Sequence, residues 1–145
     1  MSIQGHTLMS TVQRIIDAHG GLDALQALKI TRPPYMALCI EKIGTGPRDL
    51  PLVSVAHYYQ QNGDAMRNPD MTFEIGRTAL GLPAWLPVSY RQDGLGIDQQ
   101  AIFQDEQGRV MIRPRLIKDL AAFAKTWNRN LHEQGFDTTP QEDPP

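Results

Sequence analysis

The sequence predicts one α+β domain: an amino-terminal helical hairpin, an antiparallel meander of about five or six strands, and a carboxy-terminal amphipathic helix packed on that sheet. Three observations lead there. Apolar residues recur at helical spacing in the first thirty residues and again near the carboxy terminus. Between these stretches, β-branched and aromatic runs are cut by Gly, Asn, Asp and Pro at turn-like intervals. The chain of 145 residues is the size of one domain, long enough to bury roughly two-thirds of the surface that its unfolded form exposes.

The first helix is expected over Leu8 to His19, where Leu8, Val12, Ile15, Ile16 and His19 share a face and Gly20-Gly21 supplies the stop. Leu22, Leu25 and Leu28 then repeat every third residue, which predicts a second, shorter helix before Thr31-Arg-Pro-Pro34 ends it. From Tyr35 the period changes. PYMALCIEKIG and LPLVSVAHYYQ read as neighbouring antiparallel strands, bounded by Gly44-Thr-Gly-Pro47 and Gln61-Asn-Gly-Asp64. Further strands are expected at Met71 to Ile75, Trp85 to Arg91, Gly96 to Gln104 and Arg109 to Arg113.

Pro114 suits the first turn of a helix, and Leu116, Leu120, Phe123, Trp127 and Leu131 step by three or four after it. With Ile117 and Ala124 they fall within roughly 120° of arc, the width of a face docked on a sheet. The domain is therefore drawn over residues 1–132, with 133–145 as a flexible polar tail.

Composition narrows the function classes. Charged residues are 21% and hydrophobic ones 41%, with a formal charge of −2, which singles out neither nucleic acid nor membrane as partner. The single cysteine, Cys39, excludes an intramolecular disulfide and fits a reducing compartment. The sequence shows no secretory signal pattern and no run of roughly 18 apolar residues. A cytoplasmic protein without membrane contact is expected.

His57 shares a strand face with Val53 and Val55, and Asp64, Asp70 and Glu74 follow within seventeen residues. One histidine with carboxylates suits a divalent metal that activates water, so His57, Asp64 and Asp70 are candidate ligands and, with Glu74, candidate catalytic residues. The structural alternative is that Asn62-Gly63-Asp64 and Asn68-Pro69-Asp70 form two turns, for which these residue types are suited on steric grounds. Trp85 with Tyr90, and Tyr58 with Tyr59, are candidate floors for a flat ligand if they are exposed. No Gly-rich phosphate loop, Gly-x-Ser-x-Gly elbow or His-Glu-x-x-His occurs, and no cofactor is expected.

Arg115, Lys118, Lys125 and Arg129 project from the last helix opposite its apolar arc, within roughly 80° of each other. Between Arg109 and Arg129 stand six basic residues against the single acid Asp119, a local charge of +5. These four are the candidate partner-binding residues. They suit another protein with an acidic surface or, alternatively, a phosphate backbone. Glu133, Asp137, Glu142 and Asp143 follow and are able to fold back as a screen.

The string His57-Tyr58, Gln61-Asn62-Gly63-Asp64, Met66, Pro69-Asp70-Met71 and Phe73-Glu74, then Trp85, Pro87 and Tyr90, resembles a family of uncharacterised small bacterial domains met on plasmids, phages and integrative elements. The resemblance covers about Tyr35 to Gln100. It implies an accessory protein of mobile DNA and transfers no catalytic residue. The resulting expectation is a non-enzymatic interaction or regulatory module, with a metal-dependent hydrolase or nuclease on the His57/Asp64/Asp70 segment as the alternative.

Overall fold

The amphipathic stretches and the alternating middle condense into two layers, a six-stranded antiparallel sheet with helices on its inner face. The structure is a computed structural model, and it describes Thr7 and residues 9–138. In chain order the elements are α1 (Ser10–Ala18), β1 (Ala27–Ile30), β2 (Leu38–Thr45), β3 (Pro51–Gln61), β4 (Asp64–Arg77), β5 (Pro83–Gln92), β6 (Ile97–Gln100), β7 (Ile102–Gln104), β8 (Val110–Ile112) and α2 (Pro114–Glu133). Strands β1 to β6 pair in sequence order, and β7 with β8 forms a separate two-stranded ribbon.

Helix α1 buries Thr11, Val12, Ile15 and Ile16. It ends as its sequence dictates: Gly20 and Gly21 adopt φ of 102° and 86°, and their N–H groups return to Asp17 and Ile16. Leu8, placed in this helix by its spacing, lies outside the described residues.

The second helix of the expected hairpin is not formed. Leu22–Ala24 make one 3-10 turn, and Ala27–Ile30 pair with β2 as an edge strand. The stretch between Gly21 and Thr31 is too short to nucleate an independent helix. A leucine every third residue also fits a turn followed by a strand: Leu25 enters the core, while Leu28 and Ile30 pack against it from alternate strand positions.

Two further expectations change. Asn68-Pro69-Asp70 is not a turn but lies within β4. Asn68 and Pro69 together oppose the single residue His57, so the proline occupies a bulge, where its missing N–H interrupts no regular ladder. The hairpin turn is Asn62-Gly63 alone, with φ of 53° and 85°, the pair of positive values that a two-residue turn of this twist requires. The strand expected over Gly96 to Gln104 divides at Ala101, whose N–H bonds to Val88 and whose carbonyl receives Arg113 N–H. The chain thereby leaves the main sheet, and β7 and β8 stand beside it.

The core lies between the sheet and the helices. Leu38, Ile40, Val53, Val55, Met71, Phe73 and Trp85 meet Ile117, Leu120, Ala124, Trp127 and Leu131 of α2 and Val12, Ile15 and Ile16 of α1. Each fully buried side chain of this kind contributes roughly 1.5–3 kcal/mol. Trp85 reaches Gln13 of α1 through its indole N–H at 2.9 Å, so its one polar atom is satisfied in the interior.

The expected polar tail is packed over its first residues. Gly135, at φ 83°, ends α2, and Phe136 N–H returns to the Leu131 carbonyl, which turns the Phe136 ring into the core at 2% exposure. Asp137 is held by Arg14 at 2.7 Å and His132 at 2.9 Å, and Arg32 donates to the carbonyls of Gly135 and Thr138. Residues 139–145 of the expected tail lie outside the described residues. Phe136→Ala is expected to lower the unfolding free energy by about 3 kcal/mol through the cavity it leaves. Urea denaturation checks this, and a change below about 1 kcal/mol would show the segment to be peripheral.

Candidate functional site

Strand alternation decides where the four candidate metal and catalytic residues go. His57 sits on the inner face of β3 with Val53 and Val55, whereas Asp70 and Glu74 occupy outer-face positions of β4, out of step with the buried residues Met71, Phe73 and Ile75. Asp64 is exposed beside the Asn62-Gly63 turn. The sheet itself separates the histidine from Asp70 and Glu74. Among the described residues, no group of three or more His, Cys, Asp or Glu is placed to hold a metal ion.

Each of the three more enclosed candidates has a structural partner. His57 is 7% exposed, and its Nδ1 lies 3.0 Å from the Ala37 carbonyl. A carbonyl only accepts, so Nδ1 carries the hydrogen. The ring packs edgewise on Trp127 at 5.6 Å and tilted against Phe136 at 5.8 Å. Burial disfavours the imidazolium and pushes the His57 pKa down, against the smaller upward pull of the Ala37 and Met36 backbone. Asp70 accepts the Ser54 hydroxyl at 2.6 Å.

Glu74 is fully buried and ties down the β2–β3 connection. Its Oε2 accepts Arg48 N–H at 2.9 Å and Leu50 N–H at 3.4 Å, and its Oε1 accepts Arg48 Nε at 3.1 Å. Gly46 passes so close that a Cβ there would collide with the Glu74 side chain. A carboxylate out of water is stable only with such partners. Sequence reasoning placed Glu74 in a ligand set, whereas its chemistry here is that of a loop anchor.

Of the candidate aromatic floors, Trp85 with Tyr90 does not form an open platform, whereas Tyr58 and Tyr59 are half-buried and Tyr58 lines a small outer-face pocket with Lys29, Cys39 and Ser54. Trp85 is wholly inside, and Tyr90 stacks edge-on against Phe123 at 5.3 Å while donating to Gln92. Cys39 is half-buried, and desolvation raises its thiol pKa above the usual value, which disfavours a reactive thiolate.

What the sheet does present is an outer face with two polar rows crossing all six strands. One row is Lys29, Cys39, Ala56, Asp70, Arg91 and Asp98, and the other is Ala27, Glu41, Ser54, Thr72, Ser89 and Gln100, each residue the Cα partner of the next. Small side chains at Ala56, Ser54, Thr72 and Ser89 keep the middle low. The β2–β3 loop rises on one side and the β7–β8 ribbon on the other, and Gln104 donates to the Pro47 carbonyl at 3.0 Å across the gap. The result is a cleft of about 600 Å³ floored by Leu52, Thr72, Val88 and Ser89. The β5 bulge at Val88 was not legible as a site from the sequence. It opposes no β4 residue and turns Val88 toward this cleft.

The four candidate partner-binding residues are placed differently. Arg115, Lys118, Lys125 and Arg129 are all exposed on α2, opposite Ile117, Leu120, Ala124, Trp127 and Leu131. Among the described residues none of the four forms an ion pair. Asp137, expected as one screening acid, is instead committed to Arg14 and His132. Lys125 and Arg129 also line a groove of about 570 Å³ with Thr7, Met9, Ser10 and Asn128, where Asn128 accepts the Thr11 N–H at the start of α1. No helix among the described residues is long and apolar enough to cross a membrane.

A family model described as a domain of unknown function, DUF6908, matches residues 10–137. No curated protein and no solved structure matches the sequence.

Two measurements test this assignment of roles. Glu74→Ala strands two loop N–H groups and the Arg48 guanidinium, and a loss of about 3 kcal/mol with faster amide exchange over residues 46–50 is expected. Unchanged exchange there would show that the loop holds itself. Burial makes His57 harder to protonate in the folded than in the unfolded chain, so its contribution is complete above about pH 6.5 and fades as pH falls toward its depressed folded value. Urea denaturation at about pH 7.5 and 5.5 is therefore expected to show a larger loss in wild type than in His57→Gln. Equal losses would place the titrating group elsewhere.

Proposed function

Because the chain belongs to the family described as domain of unknown function DUF6908, we propose a function from its own geometry: a non-enzymatic interaction module that docks an acidic protein surface through the basic face of α2. The observation that carries this reading is the set of four exposed cations, Arg115, Lys118, Lys125 and Arg129, without acidic partners among the described residues. They extend over about 21 Å at 1.5 Å per residue. The groove beside Lys125 and Arg129 adds relief to what is otherwise a plain helix face.

Charge favours protein over nucleic acid as the partner. The whole chain is at −2, and Asp119 and Glu133 share the cationic side of the helix. A duplex binder typically neutralises about six to ten phosphates. Four cations interrupted by acids suit a smaller patch of carboxylates on a partner protein, with steering that is screened within about 10 Å in ordinary salt. The motif resemblance adds a setting to the proposal, an accessory role on bacterial mobile DNA, in which the partner belongs to a complex of the element or its host. Cys39 as the single cysteine suits a cytoplasmic setting.

The test uses immobilised poly-L-glutamate and, in parallel, a duplex DNA of equal charge. Wild-type protein is expected to bind polyglutamate with an affinity that falls as salt rises, and Lys118→Ala/Lys125→Ala/Arg129→Ala is expected to bind roughly tenfold more weakly with an unchanged melting temperature. Equal binding by the two proteins removes the basic face from the function. Preference for the duplex replaces the acidic protein by nucleic acid as partner.

A further inference from the structure

The outer-face cleft plays no part in docking through α2, and we propose that it is a second binding site, for an uncharged amide group attached to a compact apolar side chain. Its walls are built rather than incidental. Glu74 fixes one of them from beneath at the expense of a buried carboxylate, and the Gln104 to Pro47 bond ties that wall to the ribbon opposite. At about 600 Å³ the cleft has the size of a small-ligand site.

Asp70 and Arg91 select the chemistry. They are Cα partners across β4 and β5, so an acceptor and a donor stand side by side. Each takes a different protein partner: Asp70 receives the Ser54 hydroxyl on Oδ1, and Arg91 gives Nε to Asp98 at 3.3 Å. Among the described hydrogen bonds, Oδ2 of Asp70 and the terminal guanidinium nitrogens of Arg91 are uncommitted. A secondary amide supplies the matching pair, an N–H for the carboxylate and a carbonyl for the guanidinium, and charge-assisted bonds of this kind are the stronger ones.

The rest of the lining sets the ligand's charge and shape. The ionisable groups in the cleft are Asp49, Asp70 and Arg91, a net charge of −1, which repels phosphates and carboxylates. A bare cation satisfies Asp70 and leaves the terminal nitrogens of Arg91 without an acceptor. The half-buried Leu52 and Phe103 offer an apolar surface beside the polar pair, backed by the buried Val88 and Ile102, which takes an aliphatic or aromatic side chain. Such an amide comes either from an extended peptide segment of another protein or from a free small molecule.

The probe is N-acetyl-phenylalanine N-methylamide, titrated into the full chain and followed by backbone amide NMR. Binding on the order of millimolar, as expected for a ligand of this size, should shift Thr72, Ser89, Arg91 and Gln100 together. The acidic analogue N-acetyl-glutamate N-methylamide should bind at least about fivefold more weakly. Asp70→Ala and Arg91→Ala should each weaken the neutral probe roughly fivefold or more, whereas Asp64→Ala should not. Should an alanine variant fail to fold, Asp70→Asn and Arg91→Lys, which keep the volume, give the same comparison. Tighter binding of a capped Ala-Phe-Ala tripeptide identifies a peptide segment as the source, and equal binding identifies a small free amide. Absent or scattered shifts, variants that bind like wild type, or preference for the acidic analogue or for methyl glucoside overturns the proposal.

Discussion

The seating of α2 across the inner face of the sheet is the constraint on which the remaining features rest. Phe123 stacks edge-on against Tyr90 of β5 and Trp127 against His57 of β3, and the face buried beneath this helix assigns the strand residues to one side or the other. Once Val53, Val55, Met71 and Phe73 point inward, Ser54, Asp70, Thr72 and Glu74 have no choice but to point outward. A one-residue slip would bury the polar set under α2 and strand its groups without partners, so the register is held by the energy of the whole interface. His57 belongs to the inward set for the same reason, and its neighbours Trp127 and Phe136 are a consequence of register, not of any chemistry it performs.

A sheet covered on one side leaves the other for water, and an antiparallel sheet tolerates this readily. Here the exposed side is modified at two points. Glu74 draws the β2–β3 loop down onto the sheet, and the chain leaves β6 at Ala101 to build a ribbon that stands opposite. Ala101 contributes its N–H to Val88 and its carbonyl to Arg113, so the departure from the sheet leaves neither backbone group unpaired. The outer face thereby acquires relief that plain strand alternation does not provide.

Much of this was legible in the sequence, and the failures share a physical origin. Helix α2 was readable because seven apolar residues keep one period over a long stretch, and the Asn62-Gly63 turn because those residues tolerate positive φ. β1 was misread because three leucines at a spacing of three fit a helix and a turn-plus-strand equally well, and only pairing with β2 decides. Asn68-Pro69-Asp70 has turn composition, yet two neighbouring strands override it and absorb the proline in a bulge. Phe136 carried a usable signal, a glycine followed by an aromatic at the end of an amphipathic helix, that polar surroundings obscured. The exposure of Arg115, Lys118, Lys125 and Arg129 followed directly from helical period. The cleft did not, since its lining comes from six strands and a loop whose juxtaposition is a property of topology alone.

The two surfaces face opposite ways across the sheet and differ in kind. The basic face of α2 is convex and its cations are exposed, suited to charge attraction that brings a partner close without fixing its orientation. The outer cleft is concave and held by hydrogen bonds to backbone, suited to discriminating between ligands by donor and acceptor pattern. The sheet between them is bonded continuously from β1 to β6, and Phe73 and Trp85 pack edgewise at 5.4 Å in its core. A scaffold packed in this way holds each surface in place without requiring the other to move, so a change to the cations on α2 should leave the cleft's geometry intact.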